Sequence, residues 1–499
     1  MIDRLAGLIR RTYLPAWALM VLLFPITSLP LLAKLVRTNT IAAPAALLAL
    51  WLLIAWLIPY LVRGGMLPGQ VLPFFGILAV QILASARSFF LEIPPFRGAS
   101  PLAEMGDAFV TLIVGSAFYL LAATWPRDSI RLHKTLQWIN LSGLILVLWS
   151  LVQAVYVVFF QGQYPDWLLL LQSWFSTRKL FPNRVSGLAF EPSWLAHQLN
   201  MVYLPYWLAA TLRGFSVHGR RLWRFSAENL LLAGGGGVLL LSFSRVGWLA
   251  FLLILTVVLI TWNLNLAQRV SRWASSKLPL PRRGERVFQV VISASLFLVF
   301  LAVYLVAGLG ALRVASQVDR RLYGFFNDIQ EARTFYTFSN RLAFAERAVY
   351  WGTGWEVFGD YPLLGVGLGN VGFFFPEKMP AFGWLLTEIA GLFNERGFIP
   401  NTKSIWTRFL ADTGIIGFAF FISWLYVLWK SARYTYTSRD PLLKTMGMMG
   451  IFVLLALFIE GFSVDSFALP YMWFALGLIA AAGNLFLQSE GGLPIRPDT

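Results

Sequence analysis

The chain has 499 residues, of which 58% are hydrophobic and 13% are charged, and its mean hydropathy is +0.67. This composition excludes an ordinary soluble globular protein and indicates a polytopic membrane protein. The formal net charge of +16 suits loops that face anionic lipid, and we expect no nucleic-acid partner. Cysteine is absent, which excludes disulfides and thiolate metal sites.

Long apolar runs divide the chain into predicted membrane helices. Runs of about 18 to 25 apolar residues can cross a bilayer, and the sequence contains roughly a dozen of them. The predicted helices, in chain order, are 14–33, 41–62, 66–86, 107–125, 137–160, 192–212, 227–242, 246–262, 287–309, 404–429, 445–462 and 467–487. We therefore expect an all-α polytopic transmembrane bundle that forms a single integral membrane domain, 1–499.

Short loops rich in Lys and Arg set the predicted orientation of this bundle. They are 127–134, 213–224, 269–286 and 430–444. The positive-inside rule places these loops and both termini in the cytoplasm. The third predicted helix has a weak apolar pattern. Without it the number of membrane crossings would be odd, and the two termini would lie on opposite sides of the membrane. In this orientation the longest connection, 310–404 between the ninth and tenth helices, forms an external loop subdomain.

The stretch RVSGLAFEPSWLAHQ, residues 184–198, places charged groups where the sixth helix begins. Proline suits the first position of a helix, so this helix is predicted to begin at Pro192 with Glu191 as its cap. Polar residues follow on one stripe of the helix: Ser193, His197 and Asn200. Polar side chains in a membrane bundle face its interior or a wet cavity. The alternative is a capped helix with a local ion pair between Arg184 and Glu191.

Arg245 stands between two apolar runs in LLLSFSRVGWLAF, with almost no room for a loop. Such an arginine either snorkels to the lipid headgroups or points into the bundle and meets an anion. The predicted topology puts Arg245 on the same face of the membrane as Arg184, which favours the second alternative.

The long connection carries further charged and aromatic residues. A helix is predicted around Arg341, Arg347 and Tyr350. The glycines that follow, at positions 365, 367 and 369, resemble a nucleotide-binding motif, but no strand–turn–helix unit surrounds them, so they indicate a tight structural turn. Residues 383–393, GWLLTEIAGLF, are amphipathic and are predicted to lie flat on the outer leaflet.

The segment NTKSIWTRFLADTGIIG, residues 401–417, opens the tenth helix. Arg408 lies four residues before Asp412, so a simple local ion pair between them is one alternative. Lys403 has no such neighbour in sequence. The chain lacks HExxH, DxD, GxxxxGK and GxSxG, and we expect neither a bound metal nor a serine triad.

Six cations fall on the predicted external face: Arg184, Arg245, Arg341, Arg347, Lys403 and Arg408. Guanidinium groups pair with oxygen atoms two at a time, so converging arginines suit a pyrophosphate or another multiply charged anion. Glu191 is the first candidate for a catalytic base and His197 the second, because both flank the arginines in sequence. Three aromatic residues could stack on sugars or act as ordinary interface aromatics: Tyr350, Trp351 and Trp355.

The order of these motifs resembles the O-antigen ligase and polymerase superfamily, the Wzy and WaaL type of bacterial polysaccharide enzymes. The resemblance covers about residues 180–430 and depends on RVSGLAFEPSWLA, LSFSRVGWLA, ERAVYWGTGWEVFGDYPLLGVGLGN and NTKSIWTRFLADTGIIG in that order. It implies a GT-C-like glycosyltransferase architecture in the bacterial cytoplasmic membrane. Its implied substrates are glycans linked through pyrophosphate to undecaprenol, transferred outside the cell without metal or other cofactor.

The resemblance also implies roles for individual residues. Arginines in the external segments are the recurring functional residues of the superfamily, which points to Arg184, Arg245 and Arg347. Ligases usually carry a His where this chain has Lys403, and this departure favours a polymerase over a ligase that transfers the chain to lipid A core. Chain-length regulator and flippase proteins of the same pathway are the implied protein partners.

Other functions remain as alternatives. A flippase or transporter for lipid-linked sugars is expected to show two similar halves and charges near the membrane midplane, and no convincing repeat is present. A peptidoglycan-type glycosyltransferase would carry motifs that are not evident here. A purely structural membrane scaffold would leave the external arginines without a role.

Overall fold

The computed structural model describes residues 2–36, 42–219, 221–276, 282–318, 344–393 and 399–490. These residues are mainly helical, and one short antiparallel hairpin pairs β1 (Arg221–Leu222) with β2 (Phe225–Ser226). The helices of the first half, in chain order, are α1 (Ile2–Leu22), α2 (Pro30–Val36), α3 (Pro44–Leu52), α4 (Ile58–Val62), α5 (Leu72–Ser88), α6 (Pro101–Thr124), α7 (Ser129–Phe159), α8 (Asp166–Phe175), α9 (Pro192–Gln198), α10 (Leu204–Arg213) and α11 (Ala227–Leu241).

The second half of the chain continues the bundle with fewer, longer helices. They are α12 (Arg245–Ser275), α13 (Arg282–Val318), α14 (Ala345–Asp360), α15 (Phe375–Lys378), α16 (Thr387–Leu392), α17 (Ile405–Tyr436), α18 (Pro441–Glu460) and α19 (Pro470–Glu490). Short π-helical turns, at Leu53–Leu57 and Leu199–Tyr203, join α3 to α4 and α9 to α10. Short 3₁₀ turns cover Gly69–Val71, Val371–Phe374 and Ala381–Leu385.

Within the described ranges, nine helices are long and apolar enough to cross a membrane. They correspond to predicted helices two to five and eight to twelve. The predicted seventh helix is the shorter apolar helix α11, and the predicted sixth is the continuous run of α9, its π-helical turn and α10. The structure therefore confirms a polytopic helical membrane bundle.

The first predicted helix, 14–33, is wrong in its extent. Helix α1 begins much earlier and ends at Leu22, and the chain leaves helical geometry until Pro30. Pro25 lies in this interruption and has no N–H to continue a helix. Ser28 forms isolated bridges with Ala42 and with Ser176. Hydropathy did not register this break because the residues on both sides of it are apolar.

Several other helices also extend beyond their predicted bounds. Helix α12 continues to Ser275, beyond the predicted end at 262. Adding a residue to an existing helix costs much less than starting a new helix, so polar residues can prolong a helix after its apolar part has ended. The amphipathic segment 383–393 forms the end of one 3₁₀ turn and the short helix α16. Its location on a leaflet stays a prediction.

The chain divides into two compact units. The first comprises Met1–Ala250, Tyr350–Pro380 and Gly391–Thr499, and the second comprises Phe251–Val349 and Ala381–Ala390. Aromatic residues fill the core of the first unit: Trp424 and Trp473 stack at 5.8 Å, and the Trp424 Nε1 donates to the Tyr119 hydroxyl at 2.8 Å. The external subdomain 310–404 stays a prediction, because residues 319–343 and 394–398 lie outside the described ranges.

Helix α17 bends sharply at Gly414, whose φ of 63° and ψ of −164° are not helical. The chain at 362–367 packs against the bend, and the Ile415 amide donates to the Pro362 carbonyl at 2.7 Å. The Gly367 amide donates to the Asp412 carbonyl at 2.9 Å. The glycines at 365, 367 and 369 have φ values of 65°, 84° and 82°, which confirms the predicted tight structural turn.

Candidate active site

Glu191 occupies the cap position of α9, as the sequence predicts. Its carbonyl accepts hydrogen bonds from the amides of Trp194 and Leu195 at 3.0 and 3.1 Å, and Pro192 takes the first helical position. The Glu191 side chain makes no capping bond and turns toward Arg178, with 2.5 Å between Oε1 and the guanidinium. The Ser193 hydroxyl donates to Oε2 at 3.1 Å. Both carboxylate oxygens are therefore held in one orientation.

Arg178 is held by aromatic rings and was not among the site residues predicted from the sequence. Its guanidinium lies 4.9 Å from the ring centre of Phe181 and 5.0 Å from that of Phe190. The Tyr164 hydroxyl donates to the Phe181 carbonyl at 2.7 Å, and partial burial raises the pKa of Tyr164 to about 12, so its proton stays in place at neutral pH. Glu191 thus pairs with Arg178, whereas the alternative considered from the sequence was a local pair with Arg184.

Arg184 binds the end of α11. Its Nε donates to the Ser242 carbonyl at 3.0 Å and its Nη2 to the Phe243 carbonyl at 3.3 Å. The last carbonyls of a helix lack intrahelical partners, and after α11 the chain turns at Phe243, whose φ of 49° is left-handed. The Arg184 guanidinium therefore lies against the turn that leads directly into Arg245.

Arg245 is the first residue of α12 and is half-buried. The first turn of α12 lies close to α9: a Cβ placed on Gly247 would lie 2.6 Å from the Cβ of Ala196. The glycine permits this close approach of the two helices. The first turn of α12 therefore packs against α9 at Ala196.

A buried carboxylate lies beside the contact between these two helices. Glu460 ends α18, and its Oε2 lies 3.3 Å from the Nδ1 of His197, with 2% of the His197 side chain and 3% of the Glu460 side chain exposed. The Asn200 amide donates to Glu460 Oε1 at 2.6 Å and to the Gly247 carbonyl at 2.8 Å. Glu460 was not among the site residues predicted from the sequence, although an ionisable residue at the end of an apolar helix was a usable signal.

A small cavity lies beside this cluster. It is lined in part by His197, Ile405, Gly461, Ser466 and Met472, and its volume is about 10 Å³. That is room for about one water molecule and none for a sugar. His197 is therefore placed within the protein interior, whereas Glu191, with 37% of its side chain exposed, lies at the surface of the unit.

Arg408 and Lys403 are engaged by neighbouring residues. The Arg408 Nε lies 3.2 Å from Asp412 Oδ2, its Nη1 donates to the Asp465 carbonyl, and its guanidinium lies 3.9 Å from the ring centre of Phe467. The predicted local pair is confirmed. The Lys403 amide donates to the Asp465 carboxylate at 3.0 Å, and its ammonium lies 5.3 Å from the ring centre of Tyr350.

The remaining residues predicted for the site are Arg341, Arg347, Tyr350, Trp351 and Trp355. Arg347 belongs to the second unit, and Arg341 lies outside the described residues. Tyr350 is 1% exposed, and Trp351 packs against Phe462 with ring centres 5.5 Å apart. Trp355 is 57% exposed, so it is the most open of these three aromatic residues to a sugar. Among the described residues, no group of three or more His, Asp or Glu side chains could hold a metal.

Residues 230–422 match a family model described as O-antigen ligase, Wzy_C. This range begins within α11 and ends within α17, and it includes Arg245, Lys403 and Arg408. Arg184 and the start of α9 precede it. A search of curated proteins found no match to the chain. The family match confirms the resemblance to the O-antigen ligase and polymerase superfamily.

Proposed function

We propose that this chain, a membrane enzyme of the O-antigen ligase and polymerase superfamily, is a polysaccharide polymerase. In this proposal it joins oligosaccharide repeat units that are linked through pyrophosphate to undecaprenol, at the outer face of the bacterial cytoplasmic membrane. The observation that carries the proposal is the position of the Arg184 guanidinium against the turn before Arg245, whose helix packs at Gly247 against Ala196 of α9.

The two arginines supply the charge that the reaction needs. In one inverting displacement, the acceptor hydroxyl oxygen bonds to the anomeric carbon as the bond from that carbon to the pyrophosphate oxygen breaks. The electron pair of that bond stays on the lipid pyrophosphate. Arg184 and Arg245 stabilise this developing negative charge, which is the electrostatic effect that often dominates such barriers.

Glu191 takes the proton of the acceptor hydroxyl in this mechanism. A base must come within hydrogen-bonding distance of the proton that it removes. Glu191 is partly exposed and its carboxylate is oriented by Arg178 and Ser193, whereas His197 is buried against Glu460. These contacts favour Glu191 over His197 as the base, the same order as in the prediction from the sequence.

Lys403 favours a polymerase over a ligase. Ligases of the superfamily usually carry a His at the corresponding position, and here the lysine ammonium faces the buried ring of Tyr350. A lysine in that position contributes a positive charge and offers no imidazole nitrogen. A ligase is the second candidate, and a flippase for the same lipid-linked sugars is the candidate from another class.

One assay separates these candidates. Purified protein is reconstituted in vesicles with lipid-pyrophosphate-linked repeat units, and the glycans are resolved by gel electrophoresis. We expect a ladder of products that differ by one repeat unit. Transfer only to a lipid A core acceptor would indicate a ligase, and lipid movement without covalent product would indicate a flippase.

Replacement of Glu191 tests its role as the base. Glu191→Gln is expected to lower kcat by at least about 100-fold, because removal of a general base costs this much. Stability should fall by no more than about 1 kcal/mol, because the side chain makes no capping bond and its ion pair is partly exposed. Steady-state kinetics and a thermal melt in detergent measure both effects.

The matched control for this variant is Glu356→Gln, which removes a carboxylate from an exposed position on α14. We expect it to retain the wild-type kcat. A wild-type kcat in Glu191→Gln would leave Glu191 with only its helix-capping backbone role.

A further inference from the structure

Glu460 is a buried ionisable residue that the proposed mechanism does not use. It ends α18, a helix apolar enough to cross a membrane, and 3% of its side chain is exposed. A carboxylate loses its hydration in such a place, and this cost is offset only where hydrogen-bond donors face it. Ionisable residues at membrane depth mark functional positions more often than structural ones.

Two donors from one helical segment face this carboxylate. The Asn200 Nδ2 donates to Oε1 at 2.6 Å, and the His197 Nδ1 lies 3.3 Å from Oε2. A carboxylate oxygen accepts, so the Nδ1 of the ring carries the hydrogen in this contact. Glu460 therefore fixes both the ring of His197 and the amide of Asn200.

The same amide group continues the contact to α12. The Asn200 Nδ2 also donates to the Gly247 carbonyl at 2.8 Å. Because both partners of this nitrogen are acceptors, the Asn200 amide can take only one of its two flipped orientations. Glu460 and Gly247 are thus connected through a single amide group.

Gly247 follows Arg245 by two residues, in the first turn of α12. At this point α9 and α12 are so close that a Cβ on Gly247 would lie 2.6 Å from the Ala196 Cβ. The bond from Asn200 to Gly247 sets the position of that turn relative to α9. Displacement of the turn would move Arg245 relative to Glu191 at the start of α9.

We propose that Glu460 is a positioning residue, which acts through Asn200 to hold Arg245 in register with Glu191. This inference rests on the proposed function. Glu460 touches no reacting atom in this proposal. It fixes the distance between the cation that binds the pyrophosphate and the base that activates the acceptor.

Glu460→Gln is the informative variant, because the amide keeps the shape of the side chain and can still accept from Asn200. The substitution weakens the charge-assisted hydrogen bond between Asn200 and the side chain at position 460. The Asn200 amide and the turn at Gly247 can then shift. We expect kcat to fall by about 10- to 100-fold with an unchanged KM for the lipid-linked donor, because a displacement of about 1 Å in a catalytic group can cost this much.

Glu228→Gln is the matched control. Glu228 is also a fully buried carboxylate in the first unit, and it accepts from Asn140 at 2.8 Å and from the Val217 amide at 3.2 Å. Glu228 lies in the first turn of α11, whereas Arg245 follows the last turn of that helix. We expect Glu228→Gln to lower the melting temperature as much as Glu460→Gln and to keep the wild-type kcat.

A distance measurement tests positioning without the reaction. The chain has no cysteine, so Trp194→Cys and Leu249→Cys can carry one spin label each, on α9 and α12. Pulsed electron paramagnetic resonance should give a narrow distance distribution in the wild-type background and in Glu228→Gln, and a broader or shifted one in Glu460→Gln. If wild-type protein transfers no glycan, the proposed function fails while this measurement still tests the positioning.

The proposal requires both results for Glu460→Gln. A distance distribution identical to that of wild type overturns it, whatever the value of kcat. A wild-type kcat, or an equal loss of kcat in Glu228→Gln, overturns it as well.

Discussion

Arg184→Ala and Arg245→Ala are each expected to lower chain transfer by at least about 100-fold while the protein stays inserted in the membrane. This is the typical cost of removing one group that stabilises transition-state charge. Arg184 also donates to the Ser242 and Phe243 carbonyls, so its loss frees two backbone acceptors at the turn before Arg245. Polymer made in cells that lack the native gene, with membrane abundance from immunoblots, measures the effect.

Lysine at the same positions separates charge from geometry. Arg184 uses two different nitrogens for two carbonyls, and a lysine ammonium cannot reproduce that planar fork. We therefore expect Arg184→Lys to restore little activity. Arg245→Lys is expected to restore little if Arg245 binds the pyrophosphate with two parallel hydrogen bonds, and much if charge alone matters.

Arg131→Ala is the matched control for both arginine variants. Arg131 forms an exposed ion pair with Asp128 at 3.4 Å, in the first turn of α7. Exposed pairs of this kind contribute between about 0 and 1 kcal/mol, so transfer should be unchanged. Full-length polymer from both Arg184→Ala and Arg245→Ala would contradict the proposed pyrophosphate site.

The sequence predicted those features that depend on local patterns. Apolar runs gave the order of the membrane helices, the four-residue spacing gave the pair between Arg408 and Asp412, and the glycines gave the tight turn at 365–369. Helix ends were less accurate, as the early end of α1 shows. Hydropathy measures whether residues suit lipid, and it says little about where a backbone stops being helical.

The partners of the site residues could not be predicted in the same way. Glu191 pairs with Arg178 because two phenylalanine rings hold the arginine beside it, and no periodic pattern encodes that arrangement. Glu460 lies 263 residues from His197 in sequence. Such pairs arise only when helices pack, so a single sequence shows the charged residue and not the group that it meets.

Gly414→Ala is expected to have the largest effect on stability. Gly414 has a φ of 63° and a ψ of −164°, a conformation that is essentially restricted to glycine and costs another residue about 3 kcal/mol. A Cβ at this position would also lie 2.3 Å from the carbonyl carbon and oxygen of Leu363, which are backbone atoms and cannot rotate away. The substitution should therefore force the chain at 362–364 off the bend of α17.

This loss should appear in the amount of folded protein and in its melting temperature. Size-exclusion chromatography in detergent measures the first, and a thermal melt measures the second.

Gly359→Ala is the matched control, because no atom lies within 4 Å of its added Cβ and its backbone lies within α14. Alanine favours a helix over glycine by up to about 1 kcal/mol, so this control should be neutral or slightly stabilising. Equal melting temperatures for the two variants would show that α17 can straighten at Gly414, and that the packing of 362–364 against it does not maintain the bend.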